Sequence, residues 1–80
     1  MENDAAPISG ISTLAVNFAD REAVADARAH VAAASTERLL ALHLANHQAI
    51  DGGASGAQAR HLFYGLLLIQ RELKSRAATP

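Results

Sequence analysis

Residues 61–70 read HLFYGLLLIQ, and no other stretch limits the fold of this chain as strongly. The segment is too short to span a bilayer, which takes roughly 20 apolar residues. It is also too apolar to form one flank of a helix in a lone small domain. A segment of this kind serves two clients, its own core and a partner.

The remaining 70 residues decide how such a segment can be housed. A chain of 80 residues makes one domain. Domains of this size bury a modest fraction of their surface and lean on disulfides, metal or oligomerisation. There is no cysteine, which leaves metal, self-association or efficient helix packing. Half the residues are apolar, which argues against general disorder. Much of that half is alanine, and the only aromatics are Phe18, Phe63 and Tyr64, so the core is thin. With 7 Lys and Arg against 8 Asp and Glu, the basic excess of a nucleic-acid module is missing. The N-terminal MENDAAP is acidic and lacks the apolar stretch of a signal peptide, which makes the cytoplasm the expected compartment. An Ala-, Arg- and Leu-heavy composition with a single lysine fits a GC-rich bacterial or phage gene.

The punctuation predicts an all-α chain. Residues 1–10, with Pro7 and Gly10, read as a flexible leader, residues 11–76 as a single helical domain, and residues 77–80 as a frayed tail. Within 11–18, Leu14, Val16 and Phe18 alternate with Thr13, Ala15 and Asn17, which is a strand period. A lone strand has no partner in this chain, so the expected form is an arm laying Ile11, Leu14 and Phe18 over the helices. The alternative is a ribbon paired across a dimer, as in ribbon-helix-helix proteins, but residues 12–18 offer no Lys or Arg to read DNA. Asp20 is a suitable N-cap, and helix formers continue to Ile50. Ser35-Thr36 interrupts them, and a break there would give three helices in place of two. A glycine of Ile50-Asp51-Gly52-Gly53 suits the left-handed position after a helix end. Ser55 with Gln58 matches a capping box, so a second long helix begins there and runs to about Arg76. Its closing turns hold Arg71, Lys74 and Arg76, where cations complement the helix dipole. The short turn makes the two long helices an antiparallel hairpin, expected to dimerise into a helical bundle.

At 100° per residue, Leu62, Leu66, Ile69 and Leu73 form one seam of the last helix. Phe63 and Leu67 widen it on one shoulder. Tyr64 and Leu68 project from nearly the opposite side, where a monomeric hairpin would leave them in water. On the preceding helix, Leu39, Leu42, Ala49 and Ile50 continue the narrow stripe of Val24, Ala27, Val31 and Ala34. Leu40 and Leu44 fall outside it. The expected partner-binding residues are therefore Leu40, Leu44, Phe63, Tyr64, Leu67 and Leu68, and Leu68→Glu is expected to spare helicity while abolishing association.

Chemistry is sparse. His43 and His47 lie four apart on one face, a spacing that can hold a transition metal, with a third ligand to come from His61, Asp51, His30 or a second subunit. The glutamate of an HExxH helix is absent, since the residues read His43-Leu44-Ala45-Asn46-His47. Histidine changes charge between about pH 5 and 8, so the pair would also make an interface pH-sensitive. Ser55, His47 and Asp51 can be written as a triad, but Ser55 is better used as a cap and no G-x-S-x-G elbow exists. Gly52 to Gly56 lacks the Lys and Ser/Thr of a phosphate loop. No carboxylate pair is placed for acid–base work. The expectation is a non-enzymatic protein without cofactor or small-molecule substrate, working through itself or another protein as an adaptor, regulator, inhibitor or chaperone. One alternative is a structural subunit or cochaperone of a secretion or phage assembly. A loose arm followed by a two-helix hairpin is similar in outline to type III secretion needle subunits, although the turn here is DGGASG, without their prolines. The other alternative is a metal-responsive hairpin using His43 and His47.

Overall fold

The computed structural model describes residues 13–78, so the leader over 1–10 and Ile11 lie outside the described part. Three helices follow one another: α1 (Arg21–Ala33), α2 (Thr36–Asp51) and α3 (Gly56–Ala78). No strand occurs among the described residues. The two-helix hairpin is corrected to three helices because the chain does break at Ser35. Ala34 turns extended (ψ 150°) to close α1. Ser35 is extended too, and its hydroxyl accepts the Arg38 N–H at 3.0 Å to open α2. Asp20 caps α1 as its sequence position predicts, accepting from the N–H groups of Glu22 and Ala23 at 3.0 and 3.2 Å.

The turn between α2 and α3 is a Schellman motif. Ala54 N–H donates to the Ala49 carbonyl, and Gly53 N–H to that of Ile50, both at 3.3 Å. Gly53 takes the left-handed conformation this requires (φ 114°), while Gly52 stays right-handed. The entry to α3 differs from the expected capping box. The backbone turns left-handed at Gly56 (φ 61°), and the Ser55 carbonyl accepts from Ala59 N–H at 3.4 Å, so the helix opens without the Ser55 hydroxyl. α3 continues past Arg76 to Ala78, and Thr79 and Pro80 of the expected tail lie outside the described residues.

α2 and α3 run antiparallel: Asn46 bonds Leu62, while His43, a turn earlier, meets Gln70. The seam of Leu62, Leu66 and Ile69 is buried between them with Leu39 and Leu42, and Leu73 is partly buried. Fully burying a leucine or isoleucine stabilises by roughly 1.5–3 kcal/mol, so this seam is a large part of the thin core. α1 lies against α3 and brings Ala27 and Val31 onto Leu68 and Ile69 within one core cluster. Arg76, near the end of α3, closes α1. Its guanidinium donates to the carbonyls of Val31, Ala32 and Ala34 at 3.4, 3.3 and 2.7 Å, and to the Thr36 hydroxyl at 3.0 Å. Glu72 holds the same group at 2.9 Å.

Residues 13–17 form an extended arm. Their alternation works as in a strand, with Val16 buried and Leu14 half-buried while Thr13, Ala15 and Asn17 face out. The backbone partner is a side chain. Asn46, 0% exposed, accepts from Leu14 N–H at 2.8 Å and donates to the Leu14 carbonyl at 3.0 Å. Its second amide hydrogen goes to the Leu62 carbonyl at 2.9 Å. Val16 N–H then reaches the His61 carbonyl at 3.0 Å. Gly65 permits this approach, since a Cβ there would be driven into the Leu14 carbonyl.

Candidate functional site: an open apolar face

The expected second patch at Tyr64 and Leu68 is internal. Leu68 is 7% exposed and belongs to the core, because α1 covers that side of α3. Tyr64 is half-buried against the core and packs on Phe18 of the arm, ring centres 5.5 Å apart and tilted by 43°. These two residues project away from the α2 seam, as the helical spacing requires, but that direction leads to α1 and the arm instead of to water.

Leu40, Leu44, Phe63 and Leu67 stand elsewhere. They are 55%, 58%, 54% and 40% exposed. Taking Leu39 as the direction from α2 toward α3, Leu40 and Leu44 lie about 100° and 140° round at 100° per residue. Taking Leu62 as the direction from α3 toward α2, Phe63 and Leu67 lie about 100° and 140° round in the same sense. Because the helices are antiparallel, equal rotations in one sense bring both pairs to the same side of the hairpin. The arm and α1 pack on the opposite side, reached through Leu42, Gly65 and Leu68. His43 confirms the geometry: its Nε2 lies 3.1 Å from Gln70 Nε2 across the middle of the open side. The result is one face of four large side chains straddling a polar seam of His43, His47 and Gln70. Near the turn it continues into a shallow, mainly apolar depression of about 530 Å³, lined by Ile50, Ala59, Phe63, Leu67 and the Phe18–Tyr64 pair, with Arg60 also on its wall.

Charge is arranged asymmetrically along the borders of the face. Glu37 and Asp51 stand at the two ends of the α2 stripe, about 160° and 120° round from Leu39, Asp51 in line with Leu40 and Leu44 and Glu37 just outside them. Arg60 and Lys74 stand at the two ends of the α3 stripe, about 160° and 120° round from Leu62, Lys74 in line with Phe63 and Leu67 and Arg60 just outside them. All four are exposed, and none has an ion-pair partner among the described residues, where Glu72–Arg76 is the one such pair.

The imidazoles of His43 and His47 lie side by side, centres 5.3 Å apart. His61 does not join them. It sits on the side of α3 where its own carbonyl receives the arm. No cluster of three metal-ligating side chains occurs among the described residues. Ser55, His47 and Asp51 share no hydrogen bond among the described residues. No helix of the described part is long and apolar enough to cross a membrane.

Among the described residues, the class defined by these features is an all-α, three-helix unit with an extended arm clasped to it and one apolar face left open. The chain matches no family model, no curated protein and no solved structure.

Proposed function

We propose that this chain works by protein–protein contact through the face of Leu40, Leu44, Phe63 and Leu67, as an adaptor, regulator, inhibitor or chaperone rather than as an enzyme. The observation that carries this reading is the placement of four large exposed apolar side chains, from two helices, on one side that no described residue covers. Scattered surface leucines are ordinary, but two exposed apolar stripes on one side of a helical hairpin, flanking a short polar seam and bordered by charge, are the mark of an interaction surface. Phe63 is suited to anchor such a contact, because a large aromatic side chain gains much from burial at the centre of an interface. Tyr64 contributes from below, by holding Phe18 at the edge of the depression. Leu68 contributes to the fold and is out of a partner's reach.

The test is retention of partners by the tagged full chain, compared with Leu44→Glu/Leu67→Glu. Both substitutions are on exposed positions, so circular dichroism should match wild type. Proteins held by wild type, other copies of the chain included, should be lost from the variant. Identical retention by the two would sink the proposal.

The metal reading retains one supporting observation, the neighbouring imidazoles of His43 and His47. A third ligand would have to come from outside the described residues or from a second copy. Calorimetric titration with zinc decides it: absence of heat at stoichiometric metal removes it.

A further inference from the structure

We infer that the occupant of the open face is a second copy of this chain, placed so that α2 of each copy lies over α3 of the other. The inference rests on the reading of that face as a protein-binding surface and specifies its partner. The two borders of the face carry opposite charge, which makes the face complementary to itself in one orientation and not in the other.

The levels along the hairpin follow from its cross-links. Asn46 meets Leu62, His43 meets Gln70, and Ile50 lines the same depression as Ala59 and Phe63. Asp51 is therefore level with Arg60 near the turn, Leu44 with Leu67, and Glu37 with Lys74 at the far end. A symmetric pair joined through this face has its two-fold axis in the plane of contact, because the same patch is used twice. With the axis along the helices, each residue keeps its level and α2 faces the partner's α3. Asp51 then meets Arg60 of the other copy, Glu37 meets Lys74, and Leu44 packs on Leu67, each contact occurring twice. All four helices alternate in direction, the arrangement of an up-and-down four-helix bundle. With the axis across the helices, α2 lies on α2 and α3 on α3. Levels then invert, setting Asp51 against Glu37 and Arg60 against Lys74, four like-charge contacts. A net charge of −1 leaves no overall repulsion to oppose pairing.

Sedimentation equilibrium of the full chain, from micromolar to millimolar concentration at low salt, tests this. Wild type should dimerise and Leu67→Glu should remain a folded monomer. Arg60→Glu should weaken the dimer, by about threefold to tenfold, because exposed pairs are individually weak but two attractions become two repulsions. Adding Asp51→Lys to Arg60→Glu should restore wild-type affinity, and high salt should erase the differences. A tighter dimer with Arg60→Glu alone would overturn the pairing in favour of α2 on α2. A dimer that survives Leu67→Glu would overturn the face. A wild-type monomer throughout the range would overturn the second copy as occupant. In that outcome, the retention experiment with Leu44→Glu/Leu67→Glu separately decides whether a different protein uses the face.

Discussion

Asn46 does with one side chain what a neighbouring β-strand does with its backbone: it takes the N–H and the C=O of the same residue, Leu14. Its remaining amide hydrogen is used by Leu62, so the buried amide leaves neither donor idle. Removing it strands buried backbone groups, each costing about 1–3 kcal/mol, partly offset by entering water. Asn46→Ala is therefore expected to cost about 3 kcal/mol, read from urea denaturation, with lost exchange protection at the Leu14 amide. Asn46→Asp adds a pH signature. A carboxyl in this dry site has its folded pKa raised above its unfolded value of about 3.9. The variant should then approach wild-type stability below about pH 4 and lose it as pH rises through the raised folded value. Equal losses relative to wild type at pH 4 and pH 7 would contradict this.

Among the elements, the arm and α1 are held by contacts that reach far along the chain. Gly65 sits in mid-helix, where alanine would improve helix propensity by about 1 kcal/mol. Gly65→Ala should nevertheless destabilise, because the new methyl group occupies the place of the Leu14 carbonyl. Release of the arm would show as loss of nuclear Overhauser contacts between Phe18 and Tyr64. Arg76→Lys should fray the end of α1 and cost about 1–2 kcal/mol, since an ammonium cannot fork to several carbonyls and Thr36 at once. Exchange at the last amides of α1 is the measurement. These contacts also mark where the sequence stops being legible. Helical periodicity places the seam of Leu62, Leu66, Ile69 and Leu73, and local chemistry places the cap at Asp20 and marks Ser35-Thr36 as a candidate break. Asn46 could have been found, since it lies only about 20° round from Leu39 on an otherwise apolar arc. Gly65 could have been flagged as a close approach. What they approach could not be read, because that depends on which side of α3 the arm and α1 choose. For the same reason the spacing turns Leu68 toward a partner, whereas it belongs to the core cluster together with Ala27 and Val31 of α1.

In the whole molecule, that choice of side separates two adjacent leucines into opposite roles. Leu68→Glu places a charge in the core and is expected to unfold the chain, whereas Leu67→Glu should leave the fold intact and remove association. Thermal melts by circular dichroism distinguish the two, and similar melting for both would contradict the assignment of faces. The clasp at Leu14 bears, finally, on how the chain is made. A ribosome delivers Leu14 early, Asn46 later, and Leu62 and Gly65 later still. Until α3 has emerged, the arm has neither its acceptor at His61 nor its groove at Gly65. The first-synthesised part of the described chain is thus the part that waits, and its core closes only when nearly all of these residues have left the exit tunnel.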